Sequence, residues 1–428
     1  MANFRNTIKN NLLLKITSLN ALVLAVKLII SLVVQRVLAL VVGEAGIAKI
    51  GQLRNLMQIV SSFSSLGVFN GIVKYVSEFR EKSEELNNLF STVFVFIFLG
   101  SVVTSVIIFL KASYITSELF GNLDYIYIIR SIALLPIVMA INRVFQGVIN
   151  GLSEYKKYAR IDFLSYTLSS VLLIILLYGY HLEGVLFALI ITPLIQLITI
   201  IYIFSSILKK LTTLNHIRLK IPFAKELLAF TLMSFVSSIL LNYIELDIRT
   251  MIVKKISINE AGYWTAMGFI SKSYMAFSSS LFTLYVIPKF ARIDKAPVFK
   301  REVFSIYKTI LPLFGLGMLL VYFFRGYIIQ IVYPNFMGIE PLFKWQLLGD
   351  FIRLGALVIS HQFLAKKMVK SFIVTELISL TLFYFFSNIL VFKYGAEGVV
   401  MAHFFRYIIY FIIVVLFVWF GFFKAKRN

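Results

Sequence analysis

Leu89 to Leu110 reads LFSTVFVFIFLGSVVTSVIIFL, 22 residues without a charge. At the helical rise of about 1.5 Å per residue this is roughly 33 Å, enough to cross the hydrocarbon core of a bilayer. The polar stretch Lys74 to Asn88 precedes it and Lys111 follows it. Working outward, apolar runs of similar length recur from Leu12 to Phe423 with short polar breaks. In a bilayer each backbone polar group must be satisfied within its own segment, so these runs read as helices.

The whole chain has the composition of a lipid-facing protein. It is 428 residues long, 60% hydrophobic and 14% charged, with a mean hydropathy of +0.89. No water-soluble surface permits that balance. The longest polar stretches, Lys74 to Asn88 and Lys209 to Lys225, are too short to fold around cores of their own. Any chemistry therefore sits between helices. Cysteine is absent, which rules out disulfides and thiolate sites. The first apolar run is too long for a signal-peptide core and reads as a retained helix.

The expected fold is an all-α integral membrane protein. Twelve transmembrane helices are predicted at 16–40, 47–73, 89–110, 126–149, 161–180, 184–208, 226–253, 261–287, 303–323, 341–364, 371–392 and 398–421. The termini and the even-numbered connections carry 25 of the 42 Lys and Arg, against seven in the odd-numbered ones. Positive loops stay on the cytoplasmic side, so both termini are expected there. The net charge of +22 then has mainly a topological meaning, with attraction to anionic membrane lipids second. Nucleic acid is not an expected partner, because no aromatic-basic recognition module is present.

Two short motifs repeat. Glu44-Ala45-Gly46 returns as Glu260-Ala261-Gly262, 216 positions on. Tyr180-x-x-Glu183-Gly184-Val185 returns as Tyr394-x-x-Glu397-Gly398-Val399, 214 positions on. The nearly equal offsets imply two copies of one unit. Residues 1–208 form one six-helix half, 209–225 a cytoplasmic linker and 226–428 the other half. Six helices is an even number, so the halves are expected to lie parallel, with a substrate path in a central cavity and alternating access as the mode of action.

Ten basic residues fall within the spans: Lys27, Arg36, Arg54, Arg130, Arg143, Arg249, Lys272, Lys308, Arg353 and Arg406. About six acids accompany them: Asp162, Glu226, Glu245, Asp247, Asp350 and Glu376. A charge at mid-bilayer costs at least about 2.5 to 3.5 kcal/mol, so this surplus of cations calls for an anionic ligand. Arg36, Arg130, Arg406 and Lys308 lie toward helix ends and are expected to anchor there by snorkelling. Lys27, Arg54 and Lys272 have no acid three or four residues away and are expected to line the cavity, with Arg143, Arg249 and Arg353 as further anion-binding candidates. Asp350 with Arg353, and Glu245 with Arg249, can neutralise each other locally, which leaves structural and functional roles equally open. Asp162, Glu245, Asp247 and Asp350 are the candidates for coupling to a proton or sodium gradient. Asp162 and Glu376 also suit an interfacial position. The four histidines, His181, His216, His361 and His403, show no metal-ligand spacing, and no metal or other cofactor is expected.

Several stretches carry a family likeness. GVFNGIVKYV (67–76), LFGNLDY (119–125), FTLMS (230–234) and WQLLGDFIRLGA (345–356) resemble the Wzx-type flippases of lipid-linked oligosaccharides, such as O-antigen and common-antigen units. The resemblance spans both halves. It implies a MATE-like exporter fold of the multidrug/oligosaccharidyl-lipid/polysaccharide superfamily and a bacterial inner-membrane location. The implied substrate is undecaprenyl pyrophosphate bearing one repeat unit, and the implied partners are a repeat-unit polymerase and a chain-length regulator. Lys74 and Asp350 lie within the shared stretches, and Arg353 matches a basic position there. Lys272 departs from the pattern, which has an acid nearby, and this bears on the coupling chemistry and the charge of the glycan. A cation-coupled drug antiporter of the same fold remains an alternative; it would want an acidic lumen, and this one is basic. So do a membrane enzyme, which would need positioned acid, base or metal groups, and a scaffold of polysaccharide assembly.

Overall fold

The computed structural model describes residues 12–211, 221–293, 295–366 and 368–425. It is helical almost throughout, and no strand occurs among the described residues. In chain order the helices are α1 (Leu12–Ser64), α2 (Phe69–Glu78), α3 (Ser83–Leu110), α4 (Ala112–Phe120), α5 (Ile126–Ile132), α6 (Pro136–Gly151), α7 (Tyr155–Leu211), α8 (Ala224–Ser234), α9 (Leu241–Lys255), α10 (Ile258–Leu281), α11 (Ile287–Ala291), α12 (Ala296–Phe323), α13 (Arg325–Val332), α14 (Leu342–Ala365) and α15 (Val369–Ala425). Wide π-turns join α8 to α9 at Phe235–Leu240 and α10 to α11 at Phe282–Val286.

Among the described residues seven helical runs are long and apolar enough to cross a membrane, or eight counting the bent pair α5 and α6. The chain is therefore a multi-span membrane protein. The runs are fewer than the twelve expected spans for two reasons: three are continuous across sharp interruptions, and the span expected at 261–287, where α10 lies, is not apolar enough to count among them. Val23–Ser64, Tyr155–Ser205 and Val369–Phe420 hold 42, 51 and 52 residues, and two crossings need about 40. Non-helical backbone interrupts them at Gly43, at Tyr180 and His181, and at Gly395. These are the connections predicted between spans one and two, five and six, and eleven and twelve.

The repeated motif has a backbone cause. His181 and Gly395, 214 positions apart, both turn the chain with positive φ, 48° and 56°. Three residues later come Gly184 and Gly398. A Cβ on either would overlap the carbonyl eight residues earlier, of Leu176 and Leu390 respectively. Only glycine admits this approach. In the other motif, a Cβ on Gly262 would overlap the Glu44 backbone.

The span predicted at 47–73 is divided. The chain turns over Ser65–Val68, with positive φ at Leu66 and Gly67, and restarts as α2. The Gly67 carbonyl, released from helical pairing, accepts from Ser234 Oγ at 3.1 Å. The span predicted at 126–149 bends by 47° between α5 and α6, where Pro136 begins the second helix.

Packing divides the chain into two compact units. Unit 1 holds Met1–Val34 and Gln52–Tyr243; unit 2 holds Gln35–Gly51 and Ile244–Asn428. The linker expected at 209–225 falls mostly on 212–220, outside the described residues. Within unit 1, Val68 at the start of α2 and Ile72 and Val76 within it pack with Leu89 and Val93 of α3, Val144 and Val148 of α6, Phe204 of α7 and Leu227 of α8. This core fixes the register of the polar residues described below.

The two turns predict opposite responses to substitution. His181→Gly should leave the unfolding temperature of purified protein unchanged or raise it, since it relieves a left-handed residue worth about 1 kcal/mol. Gly184→Val and Gly398→Val should each sharply reduce the yield of monodisperse protein on detergent size-exclusion chromatography.

Candidate functional site

In unit 1 the polar residues lie where α1, α6 and α7 meet. Lys27 on α1 places Nζ 2.7 Å from Asp162 Oδ2 on α7. The same ammonium lies 4.9 Å from the centre of the Tyr166 ring, one turn further along α7. Arg143 on α6 donates from Nε to Ser61 Oγ at 3.3 Å and from Nη2 to Gln58 Oε1 at 3.4 Å. Tyr158, one turn before Asp162 on α7, lies in the neighbourhood of both Arg143 and Asp162.

Arg54 is half-buried, and its position on α1 puts it on one helical face with Gln58 and Ser61, at spacings of four and seven. On the same helix Asn55 Nδ2 donates to the Asn242 carbonyl at 3.2 Å. Gln52 is almost wholly buried, and neither its amide oxygen nor its nitrogen has a hydrogen-bond partner. Lys74 stands apart on α2, 4.0 Å from Glu78 Oε2 and 4.3 Å from the Tyr75 ring.

Unit 2 is organised around Asp350 on α14, whose side chain has no exposed surface. Oδ2 accepts from Ser271 and Tyr274 of α10, each at 2.5 Å, and from Gln346 Nε2 at 3.0 Å. Oδ1 lies 3.0 Å from His403 Nε2 of α15 and 3.8 Å from Arg353 Nη1. The Arg353 guanidinium also sits 5.6 Å over the Tyr407 ring. Its Nε is buried without a hydrogen-bond partner.

Glu245 on α9 faces more than its neighbour at i+4, Arg249. It lies 3.8 Å from Lys272 Nζ on α10, and interacts at longer range with Arg249 and Arg353. Lys272 is well exposed, with 68% of its side-chain surface free. Arg249 is buried: its Nε donates to Thr265 Oγ1 at 2.8 Å and its guanidinium stacks 4.8 Å over Trp264. Asp247 is half-buried and forms no ion pair among the described residues. Unit 2 therefore gathers Arg249, Lys272 and Arg353 around Glu245 and Asp350, as unit 1 gathers Lys27 and Arg143 near Asp162.

Two helix-end arginines make specific contacts within the protein. Arg406 is buried, donates from Nε to Ser379 Oγ at 2.7 Å and lies 5.0 and 4.7 Å over the Phe383 and Tyr407 rings. Arg36 donates to the Gln330 and Ile331 carbonyls at the end of α13, where the helix dipole favours a cation. Arg130 and Lys308 are exposed.

His403, Tyr274 and Ser271 were not singled out from the sequence. They reach Asp350 from 53, 76 and 79 residues away, beyond any local spacing rule. Gln346, four residues before Asp350, was open to the i, i+4 pairing rule.

In fold, the chain is similar to an inward-facing multidrug resistance MATE family transporter of the MOP superfamily, at 13% identity and a TM-score of 0.75 over 94% of this chain and 96% of that one. It is also similar to the lipid II flippase MurJ in an inward closed conformation, at 17% identity and a TM-score of 0.66 over 94% of this chain and 87% of that one. It therefore has the MATE-like exporter fold. In sequence, it is 28% identical over 391 residues to the lipid III flippase of Escherichia coli (strain K12), covering 90% of this chain and 93% of the relative. The family model described as polysaccharide biosynthesis protein matches residues 50–336. With more than half of its length so matched, the chain belongs to the polysaccharide biosynthesis protein family.

Proposed function

We propose that this chain is a flippase, which moves undecaprenyl-pyrophosphate-linked oligosaccharide units from the cytoplasmic to the periplasmic leaflet by alternating access. The observation that carries this reading is Arg143. It sits between helices against a polar stretch of α1, and its hydrogen bonds go to the neutral Ser61 and Gln58. A guanidinium so held keeps its charge available for a phosphate, whose oxygens match its planar fork. Similarity to a lipid III flippase along nearly the whole chain points the same way.

Lys27, Arg54, Arg249, Lys272 and Arg353 supply the rest of the cationic path, and the prenyl tail stays in lipid. A basic lining disfavours the cationic substrates of a drug antiporter, and no bond needs to be broken, so the work is transport rather than catalysis. The location is the bacterial inner membrane, and the distribution of Lys and Arg supports cytoplasmic termini. A repeat-unit polymerase and a chain-length regulator are the partners such a substrate calls for.

Coupling to a proton or sodium gradient runs through Asp247. Asp162, Glu245 and Asp350 each face a cationic side chain within 4 Å, whereas Asp247 is left to load and release an ion.

Two outcomes test this reading. In proteoliposomes, the wild-type chain should flip a synthetic undecaprenyl-pyrophosphate oligosaccharide, and Arg143→Ala should slow it about ten- to a hundredfold, as loss of a charge-assisted hydrogen bond implies. No flipping of any glycan by well-folded protein would reject the proposal. Imposing an ion gradient should accelerate the wild type, and Asp247→Asn should erase that stimulation while keeping the gradient-free rate. An Asp247→Asn variant still driven by the gradient would move the coupling site elsewhere.

A further inference from the structure

The pair Lys27 and Asp162 raises a different question, because an anion carrier has placed a carboxylate directly on one of its own cations. At 2.7 Å the contact is as close as an ion pair allows. It is not sealed, since 22% of the lysine side chain and 37% of the aspartate remain accessible. A ligand can therefore reach the pair and compete with it.

The helix face that carries Asp162 is built for more than one carboxylate. Ser165, Tyr166 and Ser169 follow it at spacings of three, four and seven, which brings them to the same face of α7. Tyr166 lies against the Lys27 ammonium. The hydroxyls of Ser165 and Ser169 are buried without a hydrogen-bond partner, and Ser165 is only 6% exposed. Hydroxyls left unpaired in a low-dielectric setting carry a cost that a phosphate oxygen would remove. Lys27 from α1 faces this stripe, and Tyr158 and Tyr166 of α7 flank Asp162 one turn to either side.

We propose that Asp162 is an internal counter-anion, which holds Lys27 when the diphosphate is elsewhere, yields it when the diphosphate binds, and competes for it again to drive release. Resting on the flippase reading, this assigns Asp162 a positioning role in turnover. Affinity is held down so that the ligand can leave: a carrier that binds too tightly gains nothing in rate. Arg143, held by neutral groups, makes the first contact, and Lys27 joins when its carboxylate is displaced.

The experiment is a binding titration of undecaprenyl pyrophosphate against the full chain in nanodiscs, paired with flipping kinetics in proteoliposomes. Asp162→Asn, close in shape and neutral, should bind about tenfold more tightly or better, with lower KM and lower maximal rate. Lys27→Ala should bind about tenfold more weakly. In the Lys27→Ala background, Asp162→Asn should no longer tighten binding, and this doubly neutral variant also avoids an unpaired buried charge. A purely structural ion pair would instead lower the stability of both single variants and leave affinity unchanged. Wild-type binding with no gain in Asp162→Asn would overturn the counter-anion role alone. A wild-type chain that does not bind the diphosphate lipid would overturn the flippase reading and this inference with it.

Discussion

A charge surrounded by hydrocarbon has to be answered from within the protein, and the arrangement of this chain follows from how each one is answered. Asp350 is the extreme case. Its side chain is fully buried, and it accepts hydrogen bonds from Ser271, Tyr274 and Gln346 while His403 and Arg353 face its other oxygen. Those groups come from α10, α14 and α15, so one carboxylate ties three helices together. Removing it would orphan several buried donors at once, which costs more than the pair energies themselves. Such a saturated group is suited to holding a framework.

The unit 1 charges are answered more sparingly. Lys27 has one carboxylate and an aromatic face, and Arg143 has a hydroxyl and an amide. Neutral partners satisfy hydrogen-bond geometry without cancelling the field of the cation. In a low dielectric that field reaches further than it would in water, so a partner carrying two phosphates would feel it strongly. Unit 2 differs, because there Glu245 answers Lys272 and lies within range of both Arg249 and Arg353.

Much of the fold was legible in the sequence because its constraints are local. Apolar length marks the helices, and the recurring Tyr-x-x-Glu-Gly-Val pattern marks places where backbone must pass close to backbone, at Gly184 and Gly398. The break at Ser65–Val68 was hidden, because Leu66 is no turn residue and the carbonyl of Gly67 is satisfied by Ser234, 167 positions away. The site was legible by half. Counting along a helix shows which residues share its face, and so brought Asp350 together with Arg353. Counting does not show which helices meet, and so it missed Lys27 on Asp162, 135 residues apart, and His403 on Asp350. Glu245 shows the same limit: its spacing offered Arg249, and no count along the helix could offer Lys272, which lies 3.8 Å from its carboxylate.

That division between backbone and side-chain demands also explains how one fold can serve unlike substrates. The chain keeps the architecture of transporters with which it shares only 13 to 17% of its residues. Positions such as Gly398 answer a backbone demand that any side chain would violate, and they constrain the fold whatever is carried. Arg143 and Lys27 answer no such demand. Their helices would form at least as readily with leucine there, since a buried cation only adds cost. Residues that the fold does not need, and that cost it stability, are where the selectivity proposed above would lie. Here they are bases, and the chemistry they favour is that of an anion.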